Sequence, residues 1–394
     1  MSIFSLKKRK LRVALVPDKF AHYRYPVFKK LSDAKENDFV LDIYADSLPH
    51  GNIELASSDF CNLDYEKGGV RWQLIRDYVV RGVCVWQSKI VALGLLSDYE
   101  IIVYWGDAWR LSTWVSAISA RIRGKKVVFW THGLYGKESR LKLFVRLAFY
   151  KIANGMLLYG CHAKTLLVMH GFDSAKLWVI NNSLDYDEQI RIYSSSSTIK
   201  RSGRFFDAQC KTLIFVGRLE PSKSLDMLIV ALSALLKSNY NVGLVLVGDG
   251  SCRRELEELA IRLGVMSRVV FYGACYNQVE IASLIINCDV CVSPGNVGLT
   301  AMQSLVYGVP VVTHSNFAMQ MPEFEAVVEG QSGALYEYGS QQSLNEAIVR
   351  CIGYLDSGSI SARSCQAVIE SGYTPSFQVG VFNEMLSGLD CIRT

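Results

Sequence analysis

The stretch SPGNVGLTAMQSLVYGVPVV, Ser293 to Val312, joins two apolar runs through a small-residue turn and a helix-like segment. A loop of this shape offers free N–H groups and the positive end of a helix dipole to a polar or anionic ligand. The stretch contains no acid, no base and no histidine. Its chemistry must come from the backbone of the Gly295–Gly298 turn, the amides of Gly298, Leu299 and Thr300, and two side chains. Thr300 adds a hydroxyl, and the Gln303 amide can both donate to and accept from a ribose diol. Read alone, Gln303 is equally a helix-surface glutamine.

Charge is available elsewhere. FVGRLEPSKSLDMLI (Phe215–Ile229) ends a strand at Gly217, with Arg218 just beyond and Lys223 five residues later at a helix start. Ligands of open α/β sheets bind at the carboxyl edge of the strands. Two cations on one such loop suit a diphosphate, arginine by binding two oxygens and lysine as a point charge. A solvated turn is the alternative. VVFWTHGLYGK places His132 just past a buried strand, facing the region where two domains would meet. An imidazole there can contact a sugar hydroxyl, stabilise developing charge, or be structural. In LVLVGDGSCRRELEELAIRLG, Gly248 and Gly250 flank Asp249, but Arg253 stands where a dinucleotide fingerprint needs its third glycine. Those glycines can equally serve backbone geometry. Cys288 and Cys291 form a CxxC inside an expected strand, without a second cysteine pair or histidines to complete a zinc site. No metal is expected.

The elements that must position these residues alternate. Leu11–Pro17, Asp38–Ala45, Glu100–Trp105, Lys126–His132 and Gly155–Gly160 read as buried strands, with helical patterns such as Arg110–Arg123 and Arg140–Ala153 between them. The alternation restarts at Lys211 and runs through Lys223–Lys237 and the later strands to a terminal helix after Pro375. Strands alternating with helices imply βαβ units and parallel sheets. A chain of 394 residues exceeds one ordinary core, so two doubly wound α/β domains are expected. The boundaries read as 1–195, a Ser-rich linker at 196–210, 211–374, and a C-terminal helix at 375–394 packing back on the first domain.

Composition narrows the classes. Half the residues are hydrophobic, 20% are charged, and the net charge is +5, too mild for nucleic acid as a general partner. Mean hydropathy is +0.17, yet no run of about 18 uncharged apolar residues is present. The opening MSIFSLKKRKLRVALVPD does not read as a signal peptide. The eleven cysteines form no framework, so a cytoplasmic location is expected. Basic residues cluster at Lys7–Arg12 and Gly136–Lys151. Arg140, Lys142, Arg146 and Lys151 among Leu, Phe and Tyr suit a helix lying on an anionic membrane surface, and the aromatics of Trp72–Ile90 look exposed. The same residues also fit an ordinary helix with a solvated side.

Together, GRLEPSKSLDMLIVAL, LVLVGDGSCRRELEELAIRLG, VVFYGACYNQVEIASLIINCDVCVSP and GLTAMQSLVYGVPVV resemble, in order and spacing, the family 4 retaining glycosyltransferases. The resemblance covers most of Lys211–Leu355; the first half matches more loosely, through VVFWTHG and VINNSLD. It implies the GT-B fold, two Rossmann-like domains facing across a cleft. It implies a nucleoside diphosphate sugar as donor, with Arg218 and Lys223 neutralising the diphosphate in place of a metal and His132 beside the transferred sugar. It implies a saccharide or lipid-linked acceptor, as in bacterial surface polysaccharide or glycolipid synthesis; the peripheral contact with the inner face of the membrane that the basic helix suggests would suit a lipid-linked one. The Ser293–Val312 stretch departs from the family's Glu–seven residues–Glu motif: Gly295 stands at the first position and Gln303 at the second. Gln303 keeps a ribose contact, while the sugar contact passes to Asn296, backbone amides or water. A catalytically weak sugar-nucleotide-binding partner subunit and an NAD-dependent enzyme are the competing readings.

Overall fold

The computed structural model describes residues 10–17, 19–33, 39–46, 70–76, 78–80, 84–195 and 205–390. The basic residues Lys7–Arg9 and residues 196–204 of the expected linker lie outside them. The chain forms two compact units, Met1–Ile180 with Pro375–Thr394, and Asn181–Thr374.

The first unit is built on strands β1 (Leu11–Val16), β2 (Phe39–Ala45), β3 (Trp72–Leu74), β6 (Ile101–Trp105), β7 (Lys126–Thr131), β8 (Gly155–Leu158) and β9 (Leu177–Val179), with β4 (Tyr78–Val80) and β5 (Cys84–Trp86) as a separate antiparallel pair. The seven strands run parallel in the order β3-β2-β1-β6-β7-β8-β9. Successive residues of β1 serve opposite faces. Val13 and Leu15 join one buried cluster, Ala14 and Val16 the other, which is why the strands read as continuous apolar runs. The terminal helix Pro375–Asp390 completes the first cluster with Phe382, Met385 and Leu389.

The second unit holds β10 (Lys211–Val216), β11 (Val242–Val247), β12 (Val269–Gly273), β13 (Val290–Ser293), β14 (Val311–His314) and β15 (Gly333–Tyr336), all parallel, in the order β12-β11-β10-β13-β14-β15. Ile214, Val245, Cys291 and Val311 face one core; Leu213, Leu244, Val290 and Val312 face the other. The strand order reverses between β10 and β13, which pair through Leu213–Val290 and Ile214–Cys291. The loops that carry Arg218 and Asn296 leave these two neighbouring strands at their carboxyl ends, the switch point where open α/β sheets bind ligands.

The domain boundary differs from the composition-based expectation. Residues 181–195 belong to the second unit, because the helix Tyr186–Ser195 seats Ile192 against Ile281 and Tyr307 of that unit's core. The passage between units comes instead at Ile180–Asn181, where Asn181 adopts φ +52° and its amide donates to the Gly372 carbonyl at 2.9 Å. Among the described residues no helix is long and apolar enough to cross a membrane.

Candidate functional site

In the second unit, β10 ends at Val216 and the chain turns through Gly217 into a short 3-10 helix, Pro221–Lys223. Ser224 in the left-handed region redirects it into the helix Leu225–Lys237. Lys223 thus points across to the loop after β13. Its ammonium donates to the Asn296 carbonyl at 2.7 Å and to Asn296 Oδ1 at 2.6 Å. Burial holds its pKa below the ordinary lysine value, and Arg218 lowers it further, while Glu220 and Glu323 act in the opposite sense. Arg218 is exposed and donates to Glu220 at 2.8 Å. Any anion bound at Arg218 would have to compete with Glu220 for that guanidinium.

Gly295 sits where no side chain fits. Its N–H donates to the Lys223 carbonyl at 2.9 Å, and a Cβ there would lie 2.6 Å from Lys223 Cα and 2.8 Å from its carbonyl carbon. The two loops are in backbone contact, and glycine is what allows it. Gly298, which precedes the helix Leu299–Val306, borders open space instead: a Cβ there meets nothing within 4 Å.

The remaining residues of this loop divide. Asn296 has its carbonyl oxygens committed to Lys223, which leaves its NH2 as the group able to meet a ligand. The Thr300 proton is also committed: Oγ1 donates to the Val216 carbonyl at 3.0 Å, tying the helix to the end of β10. Gln303 lies one turn in and donates to Gln278 Oε1 at 3.2 Å. Leu299 begins the helix, with its amide in the unsatisfied first turn.

Two buried polar residues support this loop. Gln320 accepts from the Val297 N–H at 2.8 Å and donates to Thr313 Oγ1 and the His314 carbonyl. Glu323 is 3% exposed and accepts from the Asn182 amide at 2.7 Å. The segment MPEFEA placed an acid after a proline, a helix-start pattern, but only the folded chain brings Glu323 within electrostatic range of Lys223.

In the first unit, His132 follows β7 directly. Its ring packs against Tyr159 at 4.6 Å and Tyr135 at 6.2 Å. Burial, then the charges of Arg24 and Arg146, push its pKa down to about 4, so the imidazole is neutral at physiological pH. The following turn is clamped. The Gly133 carbonyl accepts from Arg146 at 2.8 Å and from the Tyr150 hydroxyl at 3.1 Å, and Glu138 accepts from the Tyr135 and Gly136 amides.

Several sequence motifs resolve into structure. Gly248 and Gly250 let the turn after β11 press against the backbone of Gly217 and Leu219; a Cβ on Gly250 would lie 2.8 Å from Leu219 N. Cys288 and Cys291 are buried with their thiols pushed upward, Cys291 to about 11, and no metal-binding group of His, Cys, Asp and Glu occurs among the described residues. In the helix Arg140–Tyr150, Arg146 points inward at the His132 turn rather than outward. Leu141 and Phe144 stay exposed, with Arg140 and Lys142 beside them. Trp72 is buried, against Phe20 with ring centroids 4.5 Å apart.

Residues 197–352, most of the second unit, match the family model of glycosyl transferases group 1. An uncharacterized glycosyltransferase of Methanocaldococcus jannaschii is 33% identical over 141 residues, 35% of this chain and 34% of the relative. The alpha-monoglucosyldiacylglycerol synthase of Streptococcus pneumoniae is 31% identical over 145 residues, 36% and 31% of the two chains. The matches thus span about a third of the curated relatives' length. Anabaena HepE in complex with UDP superposes with a TM-score of 0.67 at 19% identity, covering 96% of this chain and 100% of that one. The two parallel-sheet units are those of the GT-B fold.

Proposed function

We propose that this chain, whose second unit carries a glycosyl transferase group 1 domain, moves a sugar from a nucleoside diphosphate sugar to an acceptor hydroxyl with retention of configuration. The observation that carries this reading is the convergence of two switch-point loops. Lys223, with Arg218 on its own loop, meets the Gly295–Gly298 turn at the start of the helix Leu299–Val306. Two cations and the unsatisfied first-turn amides of that helix form a seat for a diphosphate, and Gln303 one turn further in reaches the ribose.

Chemistry follows from that seat. As the bond between the anomeric carbon and the β-phosphate oxygen breaks, its electron pair passes to the diphosphate. The acceptor oxygen forms the new bond on the same face, and its proton passes to the leaving phosphate. Arg218, Lys223 and the helix amides stabilise the growing charge; one preorganised donor of this kind is worth roughly 3–4 kcal/mol. In this reading the cations do the work a metal does elsewhere. His132, neutral, hydrogen-bonds a sugar hydroxyl rather than supplying a positive charge.

The UDP complex of the Anabaena protein supports a nucleoside diphosphate ligand, and the pneumococcal diacylglycerol-glycolipid synthase supports a lipid-linked acceptor. Leu141 and Phe144, exposed near Arg140 and Lys142, suit peripheral contact with an anionic membrane. Co-sedimentation with anionic liposomes that is lost in the Leu141→Glu, Phe144→Glu double variant tests that contact; equal binding by both proteins contradicts it.

A second reading, a sugar-nucleotide-binding partner with weak catalysis, is favoured by Gly295, which leaves the loop without an acid. Incubating the purified protein with nucleotide sugars and following release of the nucleoside diphosphate separates the two. Turnover, with an NMR-assigned anomer matching that of the donor, supports the transferase; binding without turnover supports the partner.

A further inference from the structure

Arg24 closes the 3-10 turn His22–Arg24 and is 4% exposed. Its Nη2 donates to the Tyr159 hydroxyl at 2.6 Å, and the Tyr23 side chain is a second, neutral hydrogen-bond partner of the guanidinium. Its Nη1 has no hydrogen-bond partner among the described residues, and no carboxylate among them pairs with it. The guanidinium carbon lies 4.6 Å from the ring centre of Trp105, 5.2 Å from Tyr159, 5.3 Å from Tyr23 and 5.7 Å from Trp130. Arginine keeps its charge even when buried. Aromatic faces return only about 2 kcal/mol to a desolvated cation, less than burying an uncompensated charge costs. A purely structural role would be better served by an apolar side chain of the same volume.

The surroundings point to a ligand. Trp105, Trp130 and Tyr159 lie at the carboxyl ends of β6, β7 and β8, next to the reversal of strand order between β1 and β6. His132 packs on Tyr159, and its Nδ1 also has no partner among the described residues. A cavity of about 200 Å3 is walled by Trp105, Asp107, Thr131, His132, Tyr135 and Arg146, among others, so Trp105 and His132 belong both to its wall and to the Arg24 cluster. Its carboxylate, Asp107, lies 3.9 Å from Arg110.

We propose that Arg24, with His132 beside it, is an oxyanion-recognition subsite of the first unit, taking a phosphate or carboxylate carried by the acceptor. The proposal rests on the transferase reading for the word acceptor; the anion site itself does not. Neither the spacing of HYRYPVF nor any resemblance of the first half marked this residue, because its significance lies in what surrounds it.

Inorganic phosphate is the probe, added to the full-length protein while the His132 ring nitrogens are followed by NMR across pH. An anion bound at Arg24 favours the imidazolium, so phosphate is expected to raise the His132 pKa by at least half a unit. Arg24→Met is expected to weaken this response more than tenfold and Arg24→Lys to retain part of it. An Arg218→Ala, Lys223→Ala double variant is expected to lose its response to UDP and keep the phosphate response at His132. A wild-type His132 indifferent to phosphate overturns the proposal, and this arm needs no variant to fold. So does an undiminished response in folded Arg24→Met. A phosphate response lost in the double variant but kept in Arg24→Met assigns the anion to the diphosphate seat and also overturns it. A protein that answers phosphate through Arg24 but ignores every nucleoside diphosphate refutes the transferase reading alone.

Discussion

The Lys223 ammonium bonds both oxygens of Asn296, 2.7 Å to the backbone and 2.6 Å to the side chain, and so ties the loop after β10 to the loop after β13. Lysine carries three protons, and two are used in this link. The third, together with the net charge, is left for the proposed diphosphate.

Lys223→Ala and Arg218→Ala are each expected to lower kcat/KM for the donor more than tenfold. Lys223 also sets an alkaline limit. Its pKa lies below the ordinary lysine value of 10.5, so donor affinity is full while it is protonated and falls as pH rises through the lowered value. Glu323→Gln removes a charge that favours the ammonium, and is expected to move this limb to lower pH. A pH series of donor dissociation constants for the wild type and Glu323→Gln checks the sign; a limb that stays fixed in Glu323→Gln contradicts the coupling.

Placing an acid at Gly295 is expected to harm this protein. Gly295→Glu forces a side chain into the Lys223 backbone, and overpacking of this kind costs about 1–3 kcal/mol. The expected result is a lower melting temperature and weaker donor binding than the wild type. A Gly295→Glu protein of unchanged stability and higher turnover would show that the loop moves freely.

Thr300 and Gln303 separate support from contact. Thr300→Val loses one internal hydrogen bond, a stability loss of about 1 kcal/mol, and is expected to change donor affinity less than threefold. Gln303→Ala, by contrast, is expected to leave the melting temperature nearly unchanged and weaken nucleotide binding about tenfold. Calorimetry and thermal denaturation on the same samples measure both effects.

How much of this was legible beforehand depends on distance along the chain. The strands around Arg218 and His132 announced themselves as apolar runs buried on both faces, and their loops therefore fell at the carboxyl edge. The meaning of Gly295 did not, since its contact with Lys223 spans 72 residues and is made by backbone, which leaves no mark on composition. Arg146 looked like a surface cation because helix periodicity places charges without saying which of them meets a carbonyl such as that of Gly133. Arg24 and Glu323 are buried charges whose surroundings come from elements far apart in the chain. The boundary at 195 followed composition, whereas the chain changes units at Ile180, before the Ser-rich segment begins.

His132 and His314 predict the acid limb of stability. His132 and His314 both have pKa values pushed down from 6.5 to about 4, chiefly by burial. Each contributes stability that is full above about pH 6.5 and is lost as pH falls toward 4, because the unfolded chain takes up the proton first. For His132 the difference corresponds to about 3 kcal/mol at the lower end. His132→Gln is expected to flatten the decline in urea midpoint between pH 7 and 4.5. An equal decline in wild type and variant contradicts the assignment.

The central claim is that Arg218 and Lys223 seat the diphosphate of a sugar nucleotide. Thermal denaturation with UDP, GDP, ADP and their sugar conjugates tests it most directly, since a ligand selective for the native state raises the melting temperature. The account predicts a rise of several degrees with at least one nucleoside diphosphate, reduced to near zero in the folded Arg218→Ala, Lys223→Ala double variant. No rise with any of them, or a rise of equal size in the double variant, would contradict it.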